Sequence, residues 1–323
     1  MRFSAVLLYL ICTLSSAHST WQAYPDDLPR FDYSGLKLQQ NWEILAAGTR
    51  LPWPNAQFIE KMMAEFPQLS QQLIQVAKQT DSHPALKPIL QQDYQALATE
   101  LQQVWRFHFQ GQFQQAYELG MQLGPAGLLP AIYSKLIHTT FLIESSNEKQ
   151  QQFLAVDQLT QALIPLAPHY NFLLFGDAYQ KARRLELMST TEATASGLLS
   201  PTQDALTSLH QEYPSNQLYS AMLAGIDAGI IERVGSFLGG MTYGADEDKA
   251  IDLFEQALRQ ENRLAVLYHE FAQVLIRLDD SDLDEKLHQI LTACIDLPVF
   301  SAEEALNQQG CNRLFAMLEA DND

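Results

Sequence analysis

Four short stretches carry residue types at spacings close to those of known chemistry. Gly235-Ser-Phe-Leu-Gly-Gly240-Met241-Thr242 approaches a phosphate-binding loop, in which backbone amides and a lysine clamp the phosphates. Met241 stands where that lysine must be, so the glycines are expected to form a flexible inter-helix loop instead. His269-Glu270-Phe271-Ala272-Gln273 opens like the zinc-protease HExxH, which needs two imidazoles on one helix face, but Gln273 replaces the second. Asp280, Asp282 and Asp284 alternate as in a calcium loop, yet Glu285 and Leu291 occupy the positions that require Gly and Glu. Ser146 and Lys149 spell SxxK without its companion motifs, and are read as part of a polar loop. Each stretch lacks the residue its chemistry requires. The carboxylate pair Glu303 and Glu304 is read as part of a solvated helix face. No catalytic residue, metal site or cofactor is assigned, and the chain is expected not to be an enzyme.

Binding is the alternative to catalysis, and its candidates are aromatic and charged. Tyr170, Tyr179, Arg183 and Arg184 fall on one predicted helix, Glu232 and Tyr243 flank the glycine-rich stretch, and Tyr268 lies on a later helix. Together they are the expected lining of a ligand groove. Lys181 to Arg184 is the one compact basic patch of a chain with a net charge of −18. Such a charge repels phosphate backbones and anionic lipid, which excludes nucleic acid as a partner class.

These residues need helices to position them, and helical periodicity dominates. Phe58, Met62, Phe66, Leu69 and Leu73 recur at spacings of three and four within a helix expected over Asn55 to Lys78. Further helices are expected over Leu36–Ala47, Leu97–Phe109, Phe113–Leu123, Phe153–Leu166, Tyr170–Leu187, Pro201–His210, Gln217–Phe237, Leu264–Leu278 and Leu306–Leu318. Pro125 and Gly127 are read as the stop after Leu123. Strict alternation is nearly absent, so little or no sheet is expected. Near the C-terminus, KAIDLFEQAL from Lys249 is echoed by KLHQILTAC from Lys286, in a register that sets Phe254 against Ile290 and Ala257 against Ala293. Two similar helices around a third predict stacked helix hairpins.

The turn from Phe109 to Ala116 and the helix with Ala250, Phe254 and Ala257 resemble the second half of a tetratricopeptide repeat. Tyr268, Phe271, Ala272 and Leu275 resemble its first helix, and Asn262 and Pro298 fall where the repeat ends. The stretches Ile231 to Ala245 and Trp105 to Gly127 are similar to exported repeat proteins of proteobacteria. A looser similarity runs to periplasmic helical proteins that accompany tripartite ATP-independent transporters, and to the repeat domain of regulators of microtubule dynamics. The resemblance implies an all-α, tetratricopeptide-like α-solenoid of helix hairpins with an N-terminal helical extension. The expected organisation is a signal peptide over 1–19, the extension over 20–95, the repeat domain over 96–300 and a C-terminal capping helix over 301–323.

Export is expected from the sequence itself. Met1 and Arg2 precede the apolar run Phe3 to Leu14, and Ala17-His18-Ser19 supplies small residues for cleavage after Ser19, or after Ala17. The run is too short for the roughly 20 residues that cross a bilayer, so no stable membrane insertion is expected. Cys12 follows bulky Ile11, which disfavours lipoprotein processing. Cleavage would leave Cys294 and Cys311, either a disulfide or two buried thiols. The expected function is a periplasmic or secreted scaffold for a protein or peptide partner; the alternative is a small-molecule handling subunit of a transporter.

Overall fold

In a computed structural model of the chain, residues 21–321 are described, and every regular element among them is helical. The expected signal peptide and Cys12 lie outside the described residues. Two short helices, α1 (Lys37–Gln40) and α2 (Trp42–Leu45), precede α3 (Ala56–Glu65) and α4 (Pro67–Lys78). A 3-10 segment (Pro84–Gln91) leads to α5 (Gln95–Phe109), α6 (Phe113–Gln122), α7 (Pro125–Leu142) and α8 (Ser146–Leu163). Then come α9 (Asn171–Glu186), α10 (Thr190–Ser196), α11 (Leu199–Glu212) and the long α12 (Gln217–Tyr243). The chain ends with α13 (Glu247–Gln260), α14 (Ala265–Leu278), α15 (Asp284–Ile295) and α16 (Ala302–Asp321). No described helix is long and apolar enough to cross a membrane.

The helix starts are set by local chemistry. Asn55, Ser145, Ser189 and Asp246 each accept a hydrogen bond from a backbone N–H in the first turn of α3, α8, α10 and α13. Pro67 divides the single helix expected over 55–78, because its ring cannot continue the ladder but fits the first turn of α4. Pro125 acts in the same way. Rather than stopping a helix it opens α7, an almost wholly buried helix that lacks the one-sided stripe of a surface helix. Gly127 serves a close crossing: a Cβ there would lie 2.2 Å from the Gly120 carbonyl oxygen of α6. Ser146 begins α8 rather than lying in a loop, and its apparent partner Lys149 donates from Nζ to the Thr140 carbonyl at 2.9 Å.

Successive helices pack on their neighbours, and α5, α7, α9, α12, α14 and α16 also reach past the next helix. Two cores result. One lies under α3, α4, the 3-10 segment and α5 to α9; the other runs from Tyr24 and Trp42 through Phe175 and Phe254 to Cys311. The echo near the C-terminus is real but shifted by one residue. Ala250, Phe254 and Ala257 are buried on α13, and Leu287, Leu291 and Cys294 are their buried counterparts on α15, whereas Ala293 is exposed. Between them Phe271 of α14 stacks on Phe254 with centroids 4.9 Å apart.

The last described helix packs back on the first half of the fold. Helix α16 contacts α5, and the Tyr33 hydroxyl donates to the Phe300 carbonyl just before α16. Cys294 and Cys311 form a disulfide, with Cα atoms 6.3 Å apart, that ties α15 to α16.

Candidate functional site

The seven candidate lining residues do not converge on one groove. Tyr170 sits at the start of α9, its ring 5.7 Å from that of Phe66. Burial pushes its hydroxyl well above the usual tyrosine range. Tyr179 and Arg183 lie one turn apart on α9, with the guanidinium 4.9 Å over the ring. Arg184 is adjacent in sequence, but the helix turns it by about 100°, and its nearest carboxylate is Asp157 of α8 at 3.8 Å. Tyr268 donates to the Asn262 carbonyl at 3.0 Å and lines none of the cavities below. A single groove carrying all seven is therefore not what the helices build, because side chains on one α-helix are spread over its whole circumference.

Arg183 organises the densest charge cluster. Its guanidinium bonds Glu186 at 3.0 Å and also Glu270 of α14, which it reaches through the interior. Arg277 of α14 bonds the same Glu186 at 3.0 Å and approaches Glu232 of α12 at 3.9 Å. Burial alone would lower the Arg183 affinity for its proton, but Glu186 and Glu270 outweigh it and hold the group above the arginine range. Burial alone would raise Glu186, yet Arg183 and Arg277 bring it down to about 2. Arg233 completes the arrangement by donating to the Leu185 carbonyl at 2.8 Å, at the end of α9.

A pocket of about 170 Å³ opens beside this cluster, between α9, α10, α11, α12 and α14. Glu186, Glu232, Arg233, Tyr243, Glu270 and Arg277 form its polar side, while Met222, Ile226 and Ile230 form its apolar floor. Gly225 leaves room there: a Cβ built on it meets nothing within 4 Å. Thus Glu232 and Tyr243 line a cavity, and Arg183 sits behind Glu270. The residues that sequence inspection missed are Glu270 and Arg277. Their one signal was a charged residue near the middle and another near the end of a mainly apolar helix.

A larger cleft of about 930 Å³ separates α3 and the Thr49–Asn55 loop from the turns that precede α9 and α12. Trp53, Phe58, Phe66, Tyr170 and Tyr213 give it aromatic walls, with the carboxamides of Asn55, Asn171 and Asn216 among them. Only Tyr170 was foreseen. Phe58, Met62 and Phe66 belong to the stripe expected to be core, and these three of its five residues face the cleft.

A third cluster has the composition of a catalytic triad. His108 Nδ1 lies 3.0 Å from Ser134 Oγ, and its Nε2 lies 3.3 Å from Glu303, which also accepts from the Tyr133 hydroxyl at 2.6 Å. The arrangement cannot activate a nucleophile. Ser134 donates its only proton to the Pro130 carbonyl at 2.8 Å, the carbonyl whose helical partner position it occupies, so it accepts from His108 rather than yielding a proton to it. Both residues are fully buried, and the adjoining cavities are about 30 Å³ each, room for no substrate. Glu303 and Glu304 are accordingly part-buried rather than on a solvated helix face. Burial raises Glu304 to about 7, against the pull of the Phe300 N–H that donates to it at 2.5 Å.

The remaining near-motifs resolve as structure. Asp280 Oδ1 accepts from the Asp282 N–H and caps a 3-10 turn, with neither Asp282 nor Asp284 capping α15. His269 meets Asn307 of α16 at 3.2 Å, and burial lowers its proton affinity. Among the described residues no group of three or more His, Cys, Asp or Glu could hold a metal ion. Gly235 to Thr242 is not a loop: the chain is helical through Tyr243 apart from an interruption at Gly235. No protein-family model matches the chain, and no curated protein or solved structure matches it at a significant level.

Proposed function

We propose that the protein is an exported, non-enzymatic binding module that holds an extended segment of a protein or peptide partner in the periplasm. The single observation that carries this reading is the cleft of about 930 Å³ with five aromatic side chains and interspersed carboxamides. Aromatic rings give contact area at low entropic cost, and the carboxamide N–H groups, whose oxygens already cap the adjacent helices, offer donors to an extended backbone. Pairwise stacking of successive helices, with the matched seams of α13 and α15 around α14, supports a tetratricopeptide-like solenoid as the scaffold. The test is selection from a random peptide library against the full mature protein, repeated with Trp53→Ala and Tyr170→Ala. Enrichment that both variants abolish is expected. Enrichment unaffected by either variant, or none at all, would refute the cleft as the binding site.

The smaller pocket favours the transporter-subunit alternative, because it is of small-molecule size and presents both charge signs over an apolar floor. That reading predicts a small zwitterionic ligand whose binding is abolished by Arg277→Ala and untouched by Trp53→Ala. Equilibrium dialysis against a panel of amino acids checks it.

A further inference from the structure

The most exposed apolar surface lies far along α12, away from the cleft. Phe237 is 78% exposed, Leu238 52% and Met241 74%, all on one turn. Elsewhere among the described residues, large apolar side chains that face solvent do so singly, which is ordinary for a protein surface.

The turn is built to present these side chains. At Gly235 the backbone leaves helical geometry with φ +78, a value that favours glycine, and the chain changes direction. The next turn is then pinned rather than loose. Gly239 is buried against the end of α12, where a Cβ would lie 3.2 Å from Ile230 Cγ2. The Gly244 N–H donates to the Gly240 carbonyl at 3.1 Å and the Ala245 N–H to the Gly239 carbonyl at 3.3 Å, closing the helix with Gly244 at φ +67. With Gly239 inward, Phe237, Leu238 and Met241 point outward.

The rim of this patch is acidic. The Glu247 carboxyl faces the Ser236 hydroxyl, and burial together with the charges of Asp280, Asp248 and Asp246 raises its proton affinity. Asp246, Asp248 and Asp280 are exposed. Lys249 is turned away toward Asp227, 4.0 Å off. A rigid apolar triad beside four carboxylates calls for an occupant with apolar anchors and basic flanks. A second copy of the chain brings the same net charge of −18 and the same acidic rim, and an anionic lipid surface is repelled by both.

We propose that the Phe237–Leu238–Met241 turn is a docking surface for a basic amphipathic segment of a partner protein. It is separate from the aromatic cleft and does not depend on a ligand there.

The test uses the full mature protein and a fluorescein-labelled amphipathic peptide with Leu on one face and Lys on the other. Anisotropy should report binding that Phe237→Ser with Met241→Ser weakens about tenfold or more, since two exposed anchors are removed. Because both side chains are in solvent, the double variant should keep the wild-type circular dichroism and melting temperature. Asp246→Asn with Asp280→Asn should weaken binding several-fold and flatten its salt dependence. The same peptide with Glu in place of Lys should not bind. Equal affinity for the wild type and the double variant overturns the proposal, as does binding lost in Tyr170→Ala but kept in the double variant, which would place the peptide in the cleft. Two further outcomes would reassign the surface: flotation with phosphatidylglycerol vesicles that depends on Phe237, or a wild-type dimer in sedimentation that the double variant abolishes.

Discussion

Two interior clusters hold carboxylates in opposite electrostatic surroundings. Around Arg183 the carboxylates are outbid by two guanidiniums, and Glu186 falls to about 2. At the start of α16 Glu303 takes up a histidine and a tyrosine, its neighbour Glu304 is left with the Phe300 N–H and no guanidinium in direct contact, and Glu304 rises to about 7. Burial pushes both carboxyls upward, so the number of cations within reach decides the sign. The first cluster is thereby a tie between α9, α12 and α14 that needs ionised carboxylates. The second joins α5, α7 and α16 and favours a protonated one.

The largest expected effect comes from removing the shared cation. Arg183→Ala leaves Glu270 buried without its partner and Glu186 with Arg277 alone, and should destabilise by about 3–5 kcal/mol in urea unfolding. The linked pH dependence has a definite sign. A carboxyl depressed from 4.5 to about 2 contributes stability that is present above pH 4.5 and lost as pH falls toward 2. Wild type should show that loss, and Arg183→Ala should show less of it. A substitution effect under 1 kcal/mol would mean the cluster is a surface pairing and end the comparison.

Next in size is the disulfide, which fastens α16 and so the second cluster. Cys294 and Cys311 are 17 residues apart, and opening such a loop should lower stability by about 3 kcal/mol on the chain-entropy view. Reduction should raise amide exchange in α16 well before it does so in α9. Equal loosening at both places would show that the two clusters unfold as one unit.

What was legible in advance follows the same physics. Periodic one-sided helices such as α13 and α14 announce themselves, because a buried stripe needs spacings of three and four. Helix α7 did not: it is apolar on nearly all sides, and its Pro125 and Gly127 read as stops until the close approach to Gly120 explains them. The echo was visible but one residue out of register, since Ala293 and Cys294 are both small and only the packing distinguishes them. Of the candidate site, Arg183, Glu232 and Tyr243 were found and their counterparts Glu270 and Arg277 were not. Long-range pairing across 87 residues, as from Arg183 to Glu270, leaves no local pattern. Glu303 and Glu304 were read as solvated for the same reason.

A smaller effect tests the second cluster directly. Glu304 is raised from 4.5 to about 7, so its contribution is fully present below pH 4.5 and is lost as pH rises through 7. Glu304→Gln stays neutral and its side-chain oxygen can still accept from Phe300. It should therefore match wild type near pH 4.5 and be more stable than wild type at pH 8, by at most about 3 kcal/mol. Chemical denaturation at the two pH values checks this. A variant less stable than wild type at pH 8 would mean that Glu304 is ionised and paired, which removes the contrast between the clusters.

The smallest effect belongs to Glu232. Its carboxylate is half exposed and 3.9 Å from Arg277, a guanidinium already held by Glu186 at 3.0 Å. Exposed pairs of this kind contribute about 0–1 kcal/mol, so Glu232→Ala should shift stability by no more than about 0.5 kcal/mol. That smallness makes the substitution useful. Arg183 cannot be removed without loosening α9 from α14, so any loss of ligand in Arg183→Ala is ambiguous between binding and folding. Glu232 stands at the edge of the 170 Å³ pocket without carrying the helices that form it. A binding defect in Glu232→Ala at unchanged stability therefore assigns a role to the pocket itself. A stability loss of 2 kcal/mol or more would instead place Glu232 inside the structural network and make the Arg183 cluster a tie of four charged partners rather than three.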